Sequence, residues 1–299
     1  MAKKTPTKPP YLDLNTYLKK RFGQRVQKIP IDAGLFCPNR DGTKGTGGCI
    51  YCDPRGSGTG AYKKGLSIKE QIERGMLWAK KRYKAKLFIA YFQAFSNTYA
   101  PVERLKKIYS QALLYPEIVG ISIGTRPDCI DKEKLELISE LAKDKMVWME
   151  YGLQSASNKT LEFINRHSTV EDFIEAIKLT KQYKLLTCAH IIFGLPNETV
   201  KDMINTVKLL CDLKIDGVKF HQLYVLKGTK MEELYNKGQY EPIDIELYTD
   251  LVAKAIKMLP KDTVIQRISA DPPRGELICP LWSFKKQEIK NKIWEKLNQ

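Results

Sequence analysis

Leu35-Phe-Cys37-Pro-Asn-Arg-Asp-Gly-Thr-Lys-Gly-Thr-Gly-Gly-Cys49-Ile-Tyr-Cys52 follows directly on the chain's first strand-like run, which begins near residue 29. Its three thiols stand in the spacing Cys-x11-Cys-x2-Cys. A doubly wound α/β sheet would carry a Gly-rich phosphate turn at this point. Cysteines there instead favour a barrel, which places its chemistry on the loops leaving the C-terminal ends of its strands. The loop's own glycines let backbone N–H groups approach thiolates closely, which eases the accumulation of negative charge.

Beyond the loop, helical and strand patterns alternate in one rhythm. Ser67-x-x-Glu70 is a capping box that opens a helix to about Tyr83. Residues 86–93, 118–124, 147–153, 186–193 and 217–225 read as strands. The helices between them show apolar stripes at helical spacing, such as Val102, Leu105, Ile108 and Tyr109 after Pro101, or Met203, Ile204, Val207 and Leu210. Strands separated by single helices mean βα units and a parallel sheet. About six such units between residues 29 and 225 predict an α/β fold, a complete or partial TIM-type barrel. The expected organisation is a basic N-terminal segment (1–28), the barrel core (29–229) and a C-terminal α+β extension (230–299). The extension carries one strand, at 263–269, and packs on the barrel.

Composition narrows the function classes. The 299 residues are 43% hydrophobic and 10% aromatic, which excludes a disordered chain or a disulfide-stapled miniprotein. Fifty Lys and Arg against 34 Asp and Glu leave a charge of +16, which suits a polyanionic partner or a generally solubilising surface. Lys19, Lys20, Arg21 and Arg25 cluster in the N-terminal segment, whose first ten residues are Pro/Lys/Thr-rich and expected to be flexible. Residues 285–299 hold five Lys against two Glu. Both segments are candidates for phosphate contact. Seven cysteines without a secretory signal indicate reduced thiols and a cytoplasmic protein. No run of about 18 apolar residues is present to span a membrane.

The cysteine loop itself admits two metals. Zinc wants four ligands, and Asp41 and Asp53 are the nearby candidates for a fourth. Three thiolates alone suit a [4Fe–4S] cluster with one open iron. Of the remaining cysteines, Cys188 and Cys211 lie on apolar faces and read as buried structural thiols, while Cys129 and Cys279 are placed to approach the site. Lys219, His221 and Lys227 make one side of the last core strand polar, so they are candidates for substrate contact, with Arg267 joining from the tail strand.

Further strings accompany the loop: Tyr91-Phe-Gln-Ala-Phe-Ser-Asn-Thr-Tyr-Ala-Pro101, Ile123-Gly-Thr-Arg-Pro-Asp128, Glu150-Tyr-Gly-Leu-Gln-Ser155, Asn165-Arg-His167, His190-Ile-Ile-Phe-Gly-Leu-Pro196 and Lys219 to Thr229. As a set they resemble the radical S-adenosylmethionine (SAM) superfamily, with the longer loop of its elongator-type branch, and within it the small bacterial YtqA/YhcC-like family. The resemblance spans about residues 15–285. It implies a radical-SAM partial barrel and a [4Fe–4S] cluster on Cys37, Cys49 and Cys52. It also implies bound SAM, from which a 5′-deoxyadenosyl radical abstracts hydrogen.

Gln93, Ser96 and Asn97 stand where related enzymes carry Gly-Gly-Glu for the cofactor's amino group. Glu150 and Gln154 are expected at its ribose, and Arg126 and Arg166 at its carboxylate. His190 and Gly194 complete the cofactor set. The implied activity is tRNA wobble-uridine maturation, converting the 5-carboxymethylaminomethyl group to 5-aminomethyl. It would draw electrons from a flavodoxin or ferredoxin and precede a tRNA methyltransferase. The alternatives are a radical-SAM enzyme of small molecules or peptides, and a metal-stabilised nucleic-acid-binding protein without catalysis.

Overall fold

The computed structural model describes residues 9–56 and 58–299. Lys3, Lys4 and Lys8, with the expected flexibility of the first ten residues, fall wholly or largely outside them. Asp13 caps α1 (Leu14–Phe22) by accepting the Thr16 N–H at 2.8 Å, and Gly23 ends it in the left-handed region. The βα series then runs β1 (Val26–Ile31), α2 (Ile68–Tyr83), β2 (Leu87–Phe92), α3 (Val102–Leu113), β3 (Ile118–Thr125), α4 (Lys132–Leu141) and β4 (Met146–Gln154). A short α5 (Asn158–Phe163) precedes α6 (Val170–Gln182), β5 (Leu186–Phe193), α7 (Val200–Asp212) and β6 (Gly217–Gln222). The chain closes with β7 (Val225–Leu226), α8 (Lys230–Asn236), α9 (Ile245–Met258), β8 (Val264–Arg267), β9 (Leu277–Cys279) and α10 (Lys286–Leu297). The Ser67 capping box forms as its sequence requires, and Asp131 caps α4.

Seven parallel strands make one sheet in the order β1-β2-β3-β4-β5-β6-β8, a partial barrel. The seventh strand is a departure from six units. The strand expected in the extension joins the core sheet, pairing Gly217 with Val264. The last core strand is also shorter than expected. It stops at Gln222, whose side-chain amide bonds Ala270 through both its atoms, and β7 then pairs antiparallel with β9. From residue 9 the N-terminal segment packs on the barrel, where Asp13 bridges Ile265 and α1 touches both β1 and β8.

Alternation along the strands sorts side chains between the helix layer and the barrel interior. Ile121, Ile123, Met149, Tyr151, Val218 and Phe220 belong to the core shared with the helices. The inward positions change character along the axis. At the bottom, Val26, Ile89, Trp148, Cys188 and Val264 close around Leu18 of α1, with Tyr17 edge-on to Trp148 at 5.8 Å. Burying Leu18 alone is worth about 1.5–3 kcal/mol, so α1 is a plug. Above this layer lie Lys28, Tyr91, Ser122, Glu150, His190 and Lys219, and above them opens the C-terminal face.

Candidate active site

The cysteine loop is folded by its own backbone and by the turn after α5. Gly48 N–H bonds Asn39 C=O at 2.8 Å, and Asn165 Nδ2 bonds Gly48 C=O at 2.8 Å. Gly48 has φ +80°, and a Cβ there would meet Arg40 Nε at 2.7 Å, so the position requires glycine. Arg40 holds the far end by donating to the carbonyls of Cys52 and Asp53 at 3.0 and 2.8 Å. Cys37, Cys49 and Cys52 thereby line one chamber of about 140 Å³. Cys49 Sγ accepts from Asn39 Nδ2 at 3.7 Å and from Arg166 Nη1 at 3.8 Å. Arg166 Nε and Asn39 Oδ1 are buried there without partners.

This donor set fits an iron–sulfur cluster better than zinc. Burial, then the neighbouring Cys49, pushes the Cys52 thiol up to about 11, so metal must displace its proton. Asp41 is exposed and accepts the Thr43 N–H, while Asp53 pairs with Arg55 at 3.1 Å. Neither is a fourth ligand. Among the described residues no three His, Cys, Asp or Glu converge as ligands of one metal ion. The thiols rim a common space instead.

A second chamber of about 160 Å³ adjoins the first across Tyr51, Tyr91, Gln93, Gln154 and His190. Together they reach the lower end of ligand-site volumes. Gln154 sits at φ +73°, where the β4–β5 register shifts, and Gly152 beside it has no room for a Cβ against Gln154 Nε2 at 2.6 Å. Strain of this kind is tolerated where it aims a side chain.

Several expected site residues are engaged elsewhere. Glu150 is fully buried: Lys28 Nζ (2.5 Å) and Ser122 donate to its Oε1, and Lys219 and His190 Nε2 (2.9 Å) donate to its Oε2. Four donors saturate a carboxylate, so a ribose hydroxyl at Glu150 would have to take the place of one of them. Lys219, also bonded to Tyr91 OH at 3.0 Å, lies in the interior. Arg126 clamps Asp128 and donates to the carbonyls of Arg166 and His167, and Arg166 donates to Gly152 C=O. The Arg126 guanidinium is thus consumed by protein partners, and Arg166 faces Cys49.

Ser96 bonds Thr125 and Asn97 bonds two backbone carbonyls, both beneath the chambers. Gly194 is a left-handed turn against Ile243 and lines neither chamber. Lys227 is exposed outside them. Lys19, Lys20, Arg21 and Arg25 lie at the plugged end, about 20 Å of strand from the loop. Four of the five tail lysines are paired with acids, among them Lys292 with Glu246 and Lys296 with Asp250. Cys129 is buried in the turn after β3, Cys279 packs in a satellite cluster behind the loop, and Cys211 is only half-buried. Glu150, Arg126 and Arg166 nonetheless line the thiol chamber, and Gln93, Gln154, His190, His221 and Arg267 line the second.

The sequence reading missed Lys28, Tyr91 and Ser122. Their only signal was polarity at every second position of apolar strands. It also missed Glu198, which accepts from Ser155 Oγ, and which burial raises to about 7. Its folded value lies above the ordinary 4.5, so between these values the folded chain holds a proton that the unfolded chain has released. Ionised Glu198 therefore destabilises the fold at high pH and ceases to do so as pH falls. Glu198→Gln should melt above wild type at about pH 8, with the gap closing by about pH 5 in calorimetry. A constant gap would assign the effect to packing.

A parallel partial barrel with three loop thiols after its first strand defines an iron–sulfur enzyme class, and comparison with known proteins gives the same answer. The Radical SAM superfamily model matches residues 36–210 and the Radical_SAM C-terminal domain model residues 215–299. The chain belongs to the radical SAM superfamily, whose enzymes use a [4Fe–4S] cluster and SAM. It is 37% identical to YtqA of Bacillus subtilis over 97% of this chain and 90% of that protein. It is 32% identical to a tRNA uridine(34) acetyltransferase of Methanocaldococcus jannaschii over 60% of this chain but 33% of that protein. The fold matches that of Methanocaldococcus infernus Elp3 with a TM-score of 0.65 at 20% identity, covering 77% of this chain and 61% of the other. Among the described residues no helix is long and apolar enough to cross a membrane.

Proposed function

We propose that this radical SAM enzyme acts in the cytoplasm on the wobble uridine of tRNA, converting its 5-carboxymethylaminomethyl group to 5-aminomethyl. The observation that carries the reading is the core shared with a relative named for tRNA uridine(34), joined to a second chamber beyond the thiols. With cluster and SAM bound, the site is supplied with a carbon radical able to take a hydrogen atom from an unactivated C–H bond. The chain's own residues do the rest. Cys37, Cys49 and Cys52 hold the cluster, while Arg166 and Asn39 offset negative charge at Cys49. Gln93 and Gln154 stand between the chambers, placed for the cofactor's polar groups.

The carbon between the arm's nitrogen and its carboxylate is the favoured position for abstraction, because both substituents stabilise the resulting radical. Loss of one electron from that radical back to the electron carrier would give an imine, and water adding to it would break the carbon–nitrogen bond and release the two-carbon unit as glyoxylate. Tyr51 and Tyr224 line the second chamber as flat walls suited to a pyrimidine. A flavodoxin or ferredoxin would supply electrons, and a tRNA methyltransferase would take the aminomethyl product. Nucleoside mass spectrometry of tRNA from a strain lacking the gene should show carboxymethylaminomethyluridine accumulating and its downstream products depleted. An unchanged profile, where no second enzyme performs the step, would move the substrate to a small molecule or peptide.

A further inference from the structure

Resting on that substrate reading, we propose that the second chamber is a carboxylate subsite in which Arg267 anchors the free carboxylate of a glycine-like arm. Arg267 ends β8, so it stands at the C-terminal face, and it lines the chamber. Among the described residues no hydrogen bond or ion pair is made by its guanidinium, whereas Arg40, Arg55, Arg126 and Arg166 are all engaged.

The charges around it leave room for an anion. Among the described residues Glu150 is the only acid in contact with the ammonium groups of Lys28 and Lys219, and its carboxylate is saturated by them, Ser122 and His190. Glu150 lines the thiol chamber, and the acid that lines the second, Asp53, is paired with Arg55. The interior beneath Arg267 therefore carries excess positive charge in a region of low dielectric, where an incoming carboxylate is favoured. His221 Nε2 is buried without a partner in the same chamber wall, and burial with the nearby cations holds that ring neutral. Arginine's planar fork suits a carboxylate through two parallel hydrogen bonds.

The cofactor also bears a carboxylate, but a molecule meeting the cluster must sit beside the thiols, and those line the other chamber. The substrate's carboxylate is thus the one assigned to Arg267.

Phenylglyoxal labelling of the reconstituted full chain, read at Arg267 by peptide mass spectrometry, separates these sources. An anticodon stem-loop carrying 5-carboxymethylaminomethyluridine should slow labelling by on the order of tenfold, and its aminomethyl counterpart should not. N-benzylglycine should protect where its methyl ester does not. Protection by N-benzylglycine but not by the stem-loop keeps the subsite and overturns the tRNA reading. Protection by SAM alone, or equal labelling with every probe, overturns the subsite. Arg267→Gln should bind the stem-loop about tenfold more weakly with SAM affinity unchanged, and Arg267→Lys should fall between. Stem-loop binding by Arg267→Gln equal to wild type would also overturn it.

Discussion

Iron content should fall from about four per chain to near zero when Cys37, Cys49 or Cys52 is replaced by alanine, and SAM cleavage should fall with it to background. In the proposed site each thiolate is one of three protein ligands, so none is dispensable. The loss at Cys49 has a second physical cause. Arg166 is buried against that sulfur, with Nε unpartnered, and an alanine removes the sulfur that its Nη1 donates to. Cys49→Ala should therefore also lower the melting temperature of the unreconstituted chain more than Cys37→Ala does. Cys188→Ala is the control, since that thiol lies in the bottom plug and its loss should leave iron untouched. Absorbance, iron and labile sulfide after anaerobic reconstitution decide the matter. Stoichiometric zinc without sulfide would end the cluster assignment.

Glu150→Ala should be the most destabilising single change in the barrel, by about 3–5 kcal/mol. Its carboxylate is the counter-charge for Lys28 and Lys219, of which Lys219 is buried and Lys28 largely so. Burial already lowers Lys28 to about 8, so with the carboxylate gone both ammonium groups would be driven to release protons. A loss of that size is a large share of a domain's net stability and should lower the melting temperature by on the order of 10 °C. Glu150→Gln keeps the shape but only half of the accepted hydrogen bonds and none of the charge, and should fall nearly as far. Adding Lys219→Met to Glu150→Gln should recover part of the loss, because one uncompensated cation leaves with it. Thermal melts of the three variants test this. A Glu150→Ala protein that melts with wild type and merely binds SAM weakly would return Glu150 to the ribose.

The sequence by itself determined what depends on neighbours in the chain. The capping box at Ser67, the alternation of strand and helix, and the Cys-x2-Cys pair are local patterns. Local hydrogen bonds and side-chain periodicity specify them without reference to the rest of the molecule. The class of enzyme was legible through the loop together with the strings that share its family resemblance, since the loop alone admits zinc as well. The seventh strand was visible as a strand, but its place beside β6 was not, because parallel neighbours need not be adjacent in sequence.

Tertiary structure alone decided the roles of the charged residues. Glu150 and Gln154 read as a pair on one face, yet four donors from four other strands saturate the first and a register shift turns the second into the site. Lys28, in a segment that read as merely basic, is part of the barrel's interior, while Lys19 to Arg25 lie at the end that α1 closes. Arg126 and Arg267 are both arginines at the C-terminal ends of strands. One is consumed by Asp128 and two carbonyls, and the other is left facing a chamber. A charged side chain's function is set by which lone pairs and protons its spatial neighbours leave free, and those neighbours come from strands up to 122 residues apart.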